Sequence, residues 1–393
     1  MKKKAARLIS KLRILKFFFA MIPLLLYMII FQNCTSSSPS GVGNPGNAST
    51  SVVQKGARQL GVDILDTTPT SSFNNNISLV QAAGASYMIL PIGWNQIESS
   101  TPSDCTTAGT YTDPGSELET FNSLLPANNI KLSLSILPIS TSINLMPSNL
   151  AALPFDNSLV ICRFQKMLSF VFSKIPNIQL VSMQFGNEID EYSAASSTSF
   201  WSQYWGFYVN VSQTAKGLSP GLKTSVIGSL YGASGQSTNS LAQGGLKQIW
   251  NSADVVVVTY YPLNTDFTVK SPTVASSDIS ALANLYPNNK IYFNEIGFPS
   301  GSTSENSSQA LQQQFLHDIF QVWDTYSTQI PNMTFVRLND YSLSAAQSVA
   351  ANYQLSGNLI FIEYLQTLGL RTYDGVDKPA FSQLKAETSA RGW

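Results

Sequence analysis

Short apolar, β-rich runs alternate with longer amphipathic segments from about residue 56 to the end of the chain. The runs are Val62–Asp66, Tyr87–Trp94, Lys131–Ile139, Leu180–Glu188, Lys223–Gly228, Ala253–Tyr261, Lys290–Phe298 and Met333–Asn339. They are nearly continuous in apolar residues, as strands buried on both faces of a parallel sheet are. Between them the pattern predicts helices over Ser158–Lys174, Phe200–Lys216, Ser240–Trp250, Ser276–Leu285 and Ser308–Tyr326, with Asn358–Leu368 as the closing helix. Eight strand–helix units predict an α/β fold, a (β/α)8 TIM barrel. An open doubly wound sheet is the alternative, but no glycine-rich phosphate loop follows the first run. No second linker interrupts residues 56–393, which read as one domain.

The first 33 residues follow different rules. They hold seven basic residues and no acid, and an apolar stretch from Phe17 to Phe31 runs up to Gln32-Asn33-Cys34. This is the layout of a secretory signal, and the stretch is short for a membrane span. The cysteine directly after it resembles the lipidated Cys of a bacterial lipoprotein, so residues 1–33 are expected to be a signal peptide and Cys34 the lipid anchor. Residues 34–55, rich in Ser, Gly, Asn and Pro, then read as a flexible tether. The expected location is the bacterial cell envelope, at the outer membrane or cell surface. The expected partners are a carbohydrate and, through the anchor, the membrane; the chain is expected to act as a monomer.

Composition narrows the chemistry. The formal charge is zero, but removing the leader leaves sixteen basic against 23 acidic residues, a net of −7. That balance argues against nucleic-acid binding. Charged residues are only 12% of the chain, and Ser, Thr and Asn take their place, which suits an exported protein with a neutral ligand. The only histidine, His317, excludes a Ser-His-Asp triad and a His-based metal site, and reads as a surface or packing residue. No metal or cofactor is expected. Cys105 and Cys162 either form a disulfide, which export permits, or remain as two thiols.

Two glutamates carry the candidate chemistry. Glu188 ends the fourth run and Glu295 lies near the end of the seventh, each preceded by Asn. Barrel active sites lie at the C-terminal ends of the strands. A carboxylate there is costly unless paired, so two such residues are a stronger signal than one. Glycosidases use two carboxyl groups facing one another across a sugar bond.

These segments resemble glycoside hydrolase clan A, the retaining barrels, and within it glycoside hydrolase family 53, the endo-β-1,4-galactanases. Gln184-Phe185-Gly186-Asn187-Glu188-Ile189 is similar to the strand-four motif, Thr259-Tyr260-Tyr261-Pro262 to the strand-six segment, and Asn294-Glu295-Ile296-Gly297-Phe298-Pro299 to the strand-seven segment. Gly369-Leu370-Arg371, Asp374-Gly375 and Lys378-Pro379-Ala380 also resemble clan members. The resemblance implies a retaining glycoside hydrolase acting on a neutral β-linked polysaccharide or oligosaccharide. Glu188 would be the acid/base, expected in a dry pocket, and Glu295 the ionised nucleophile, held by a donor such as Tyr260 or Tyr261. Asn187 would meet the sugar 2-hydroxyl. Two features depart from the clan: the second run has no arginine, and the cleft can have no histidine. A catalytically weak or inactive glycan-binding barrel is therefore the alternative.

Around this pair, Trp94 and Tyr341 are candidate sugar platforms, and Phe298 is a further candidate for substrate binding. Asp190 and Glu191 read as solvated loop charges. The Cys105–Asp113 stretch is a candidate cleft wall.

Overall fold

The computed structural model describes residues 52–65, 68–69 and 72–393. The signal peptide, Cys34 and the tether as far as residue 51 lie outside the described residues. The strands are β1 (Gln59–Val62), β2 (Ala85–Gly93), β3 (Lys131–Ser140), a two-residue β4 (Ile143–Asn144), β5 (Leu180–Asn187), β6 (Thr224–Ser225), β7 (Ile227–Ser229), β8 (Val256–Tyr260), β9 (Ile291–Ile296) and β10 (Asn332–Phe335). Their order in the sheet is β6-β5-β3-β2-β1-β10-β9-β8-β7, and all of these pairings are parallel. β6 and β7 are two halves of the predicted fifth strand, separated by Val226. One half pairs with β5 and the other with β8, so a single short segment brings the two ends of the sheet together as a TIM barrel.

Helices wrap the barrel because their apolar positions recur every three or four residues. In Ser158–Lys174 the buried set is Val160, Arg163, Phe164, Met167, Leu168 and Val171. Thr198–Leu218 buries Phe200, Trp201, Tyr204, Phe207, Tyr208 and Val211 in the same way. No described helix is long and apolar enough to cross a membrane.

The structure corrects two expectations. The first strand is Gln59–Val62, not Val62–Asp66: Ile64 and Leu65 are buried beyond the end of the strand, so the apolar signal outruns the ladder. The helix at Leu359–Thr367 exists but does not close the barrel. Its apolar residues join a separate cluster with Val336, Ala346 and Ala350, whereas Phe381 and Leu384 of Pro379–Ala390 join the main core. His317 Nδ1 meets Glu387 Oε1 at 2.6 Å, linking that closing helix to Gln309–Thr325.

The floor of the barrel, at the N-terminal end of β1, is held by charge. Asp324 accepts from Arg58 at 2.8 Å and from Arg391 at 2.7 Å, and Arg391 also binds Glu387. All four side chains are buried. Arg58 lies over the rings of Trp323 and Trp393, so its charge is paired on one edge and its face is covered by aromatic surface.

Candidate active site

Glu188 directly follows β5 with a left-handed backbone (φ 45°, ψ 50°). Gly186, two residues earlier, has φ +101°, and a Cβ there would lie 2.3 Å from the Tyr204 hydroxyl. Only glycine allows the chain to turn here. Thr141, just past β3, is also left-handed (φ 51°) and donates its N–H to the Asn187 carbonyl at 2.8 Å. Non-glycine residues in this region are uncommon and cluster at functional sites.

These turns fix the Glu188 carboxylate between two hydroxyl donors. Thr141 Oγ1 donates to Oε2 at 2.8 Å and Thr259 Oγ1 to Oε1 at 2.6 Å. Thr259 lies on β8, in register with Glu295 on β9. Tyr261 donates its hydroxyl to Glu295 Oε2 at 2.9 Å. Thr259 thus relates the two glutamates of the fourth and seventh barrel strands, Glu188 through its hydroxyl and Glu295 through the strand register.

Burial pushes the Glu295 carboxyl up to about 7, and the negative charge of Glu188 adds to the rise. The Tyr261 hydrogen bond opposes it, Asp63 at the end of β1 reinforces it, and the Arg337 cation opposes it. The expectation was a dry pocket for Glu188 and an ionised Glu295. In the free protein Glu295 holds its proton well above the usual carboxylate range, while Glu188 has two hydroxyl donors. The physical reason is that burial and the neighbouring negative charge outweigh the single Tyr261 donor at Glu295.

Beneath the pair, the barrel interior is polar. Ser133 meets Ser182 at 3.0 Å and donates to Asn294 Oδ1 at 3.2 Å, and Ser135 donates to Gln184 Oε1 at 3.0 Å. The residues before each glutamate are therefore tied to the same buried layer. Asn187 is the exception: its side-chain oxygen is buried and has no partner among the described residues.

Of the two adjacent tyrosines it is Tyr261 that donates to Glu295, and Tyr341 is half-buried, with Arg337 Cζ 3.3 Å from its ring centre. Trp94, Tyr260 and Phe298 are taken away from the mouth. Trp94 is fully buried, edge-on to Phe164 at 4.9 Å. Tyr260 donates to Asp278 at 2.9 Å on the outer side of the barrel, and Phe298 stacks on Phe315 at 5.0 Å. None of the three has a face free for a sugar. Asp190 is likewise buried rather than solvated. It accepts from Ser229 N at 2.9 Å and Ser229 Oγ at 2.6 Å, which ties the turn after Glu188 to β7; Glu191 is exposed.

Cys105 and Cys162 form a disulfide, with their Cα atoms 6.1 Å apart. Beside it Arg163 pairs with the buried Glu98 and donates to the Thr107 carbonyl at 2.9 Å. The loop after β2 is therefore fastened to the helix Ser158–Lys174.

The sequence reading missed Thr141, Thr259, Asp63 and Arg337. Thr259 lies inside the quoted strand-six segment. Arg337 is a charged residue inside the last apolar run, which is a visible signal. It brings a cation toward Glu295 from the segment just after the last barrel strand.

No family model and no curated protein matches the chain. Solved structures do. A GH5_18 glycoside hydrolase variant from Streptomyces cattleya, in complex with Manb1-4GlcNAc, is 15% identical with a TM-score of 0.61, over 84% of this chain and 80% of that one. The exo-beta-1,4-mannosidase Op5Man5 from Opitutaceae bacterium strain TAV5 is 13% identical with a TM-score of 0.60, over 87% of this chain and 62% of that one. A family 39 glycoside hydrolase from Bacteroides cellulosilyticus WH2 is 13% identical with a TM-score of 0.56, over 86% and 65%. This chain spans less than two thirds of the latter two. At these identities the likeness establishes the fold.

Chemically, the mouth of this barrel presents two carboxyl groups, one desolvated and one held by hydroxyls. An unpaired amide oxygen lies beside them. The arrangement can transfer a proton and present a nucleophile to a neutral, hydroxyl-rich ligand.

Proposed function

We propose that the protein is a retaining glycoside hydrolase acting on a neutral β-linked oligosaccharide or polysaccharide. The observation that carries this reading is the relation of Glu188 and Glu295 through Thr259. In the first step Glu295 attacks the anomeric carbon, and Glu188 gives its proton to the departing glycosidic oxygen. In the second, the Glu188 carboxylate takes a proton from water, which attacks the glycosyl–Glu295 ester and frees both groups. Tyr261 orients the attacking carboxylate. The Asn187 oxygen is suited to accept from the sugar 2-hydroxyl, and Tyr341 is a candidate surface for the ring. The galactanase resemblance and the mannoside-directed structural neighbours make β-galactans and β-mannosides the first substrates to try.

A second reading exchanges the two roles. It is favoured by the raised proton affinity of Glu295 and by the two hydroxyl donors on Glu188. Both readings predict the same first experiment. The purified domain is screened against plant and microbial polysaccharides with reducing-end detection, alongside Glu188→Ala and Glu295→Ala. Each variant is expected to lose about 10²- to 10⁴-fold in rate on natural substrates. A folded wild-type protein that binds but cleaves nothing would instead support a glycan-binding barrel.

The leader supports export and a lipid anchor at Cys34, which would hold the domain at the bacterial envelope, and the disulfide fits passage through an oxidising compartment. Cys34→Ser should abolish palmitate labelling of the protein in cells. Labelling that persists in the variant refutes the anchor.

A further inference from the structure

Both oxygens of the Glu188 carboxylate are taken up by threonine hydroxyls, Oε2 by Thr141 at 2.8 Å and Oε1 by Thr259 at 2.6 Å. The two donors come from different barrel strands. Thr259 is buried within β8, and Thr141 follows the end of β3. Threonine is branched at Cβ and therefore stiff at χ1, so each hydroxyl is aimed by its own backbone. Thr141 has a second hold on the same segment. Its N–H binds the carbonyl of Asn187, the residue before Glu188.

The chain after β10 adds a third member. It forms a hairpin of two helices, Leu343–Asn352 and Leu359–Thr367, and Tyr353 caps the first. The Tyr353 ring stands edge-on to Phe361 of the second helix at 5.8 Å, packed against an apolar cluster that includes Ala346, Ala350 and Tyr364. Held in this way, the Tyr353 hydroxyl meets the side chains of Ser140 and Thr141. Thr141 has one hydroxyl proton, and the bond to Glu188 uses it. Toward Tyr353 it can only accept, so Tyr353 is the donor there. Burial, with Glu188 and Glu295 nearby, pushes the Tyr353 hydroxyl up, so it keeps that proton at neutral pH. The line of donors therefore runs from Tyr353 to Thr141 to Glu188.

A proton-transfer carboxyl has to serve in two states. It is protonated when the leaving group departs and ionised when water is activated. A cationic partner would favour the second state alone. A hydroxyl donates to the ionised carboxylate and, by turning about its C–O bond, accepts from the protonated one. From this geometry, and resting on the assignment of Glu188 to proton transfer in the reading above, we propose that Thr141 and Thr259 are positioning residues that hold Glu188 in one orientation through both steps, and that Tyr353 positions Thr141. They touch the carboxyl or one another, not the sugar. Their removal leaves Glu188 present but free to rotate.

The test compares the wild-type domain with Thr141→Val, Thr259→Val, Thr141→Ser, Thr259→Ser and Tyr353→Phe. The probes are 2,4-dinitrophenyl β-glycosides of mannose, galactose, glucose, xylose and N-acetylglucosamine, and β-linked oligosaccharides of the same sugars. The dinitrophenyl group leaves without a proton, and the sugar leaving group does not. Valine keeps the shape of threonine and removes the hydroxyl. Each valine variant should lose about 10- to 100-fold in kcat/KM on the oligosaccharide that wild type cleaves, and about twofold or less on the matching dinitrophenyl glycoside. The serine variants, which keep the hydroxyl, should recover most of the loss. Tyr353→Phe should lose about 3- to 10-fold on the oligosaccharide alone, and nothing more when added to Thr141→Val, because the two act in one network. Circular dichroism checks the fold of each variant. Tyr353→Phe keeps both threonines, so it carries the same comparison if a buried valine unfolds the barrel. Equal losses on the two probes, unchanged rates, or no recovery by serine overturn the proposal, while cleavage by wild type keeps the glycoside hydrolase reading. A full Tyr353→Phe loss in the Thr141→Val background overturns the part given to Tyr353. No cleavage of any probe by folded wild-type protein overturns the reading and the proposal with it.

Discussion

Tyr261 donates its hydroxyl to Glu295 at 2.9 Å, while its neighbour Tyr260 points out of the barrel to Asp278. The bond to Tyr261 stabilises the ionised carboxylate against a burial that lifts it to about 7. If Glu295 is the nucleophile it acts only when ionised. The acid limb of kcat/KM, which reports the free enzyme, should then rise as pH rises through about 7. Tyr261→Phe keeps the ring and removes the donor, so that limb should move to higher pH. A limb near 7 on which activity falls with rising pH assigns the proton-donor role to Glu295 instead.

The same shift makes a statement about stability. Glu295 has a folded-state value of about 7, above the ordinary carboxylate value of about 4.3. The folded state therefore binds the extra proton between those two values. The stability associated with the protonated group is present in full below the ordinary value and is lost as pH rises through about 7. Glu295→Gln, which cannot ionise, should have a higher Tm than wild type at pH 8, and the advantage should vanish near pH 4. Thermal melts of both proteins across that range check it. Equal melting temperatures at pH 8 would show that the carboxylate is better solvated than this geometry allows.

The pair Tyr260 and Tyr261 also explains what could be read from the sequence. Continuous apolar runs such as Lys131–Ser140 and Leu180–Asn187 mark buried parallel strands almost to the residue, and strand ends place Glu188 and Glu295 at the mouth. What a run does not show is the phase of the pleat. Adjacent residues face opposite sides of a strand, so a one-residue slip swaps cleft for core. Tyr260 goes outward for this reason. Trp94 and Phe298, just past their strands, are captured by Phe164 and Phe315 on the surrounding helices. The helix Phe73–Ala82 does not stand out in the sequence because the polar Asn76 takes a buried position in its apolar stripe, beside the exposed Asn74 and Asn75. Arg337, Asp63 and Tyr353 act on the site through contacts that only the closed barrel and its hairpin create.

At the opposite end of the barrel, Asp324 is the single carboxylate shared by Arg58 and Arg391. Asp324→Ala would leave both cations buried with part of their pairing gone. Removing one partner of a buried pair costs about 3–5 kcal/mol. Urea denaturation should show a loss of that size, with the midpoint displaced and the slope little changed. The floor is far from the mouth, so any activity at temperatures where the variant stays folded should be retained. A loss well under 1 kcal/mol would mean that water enters the floor and solvates the two arginines.

The two carboxyl groups can be told apart by what replaces them. If Glu295 is the nucleophile, Glu295→Ala blocks formation of the glycosyl-enzyme, and azide entering the vacated space attacks the sugar directly from that face. From a β-glycoside with a good leaving group the product is the α-glycosyl azide, with inverted configuration. Glu188→Ala should still form the glycosyl-enzyme from such a substrate, which needs little proton assistance. The intermediate should then accumulate, because no base activates water. Azide, which needs no base, should release it as the β-glycosyl azide. The contacts give the two vacated sites different surroundings: the Thr141 and Thr259 hydroxyls at Glu188, the Tyr261 hydroxyl at Glu295. The configuration of each azide product, read by NMR, decides the roles. The β-azide from Glu295→Ala and the α-azide from Glu188→Ala would exchange them, in keeping with a Glu295 carboxyl raised above the ordinary carboxylate value. Wild-type rates in both variants would remove both residues from the chemistry.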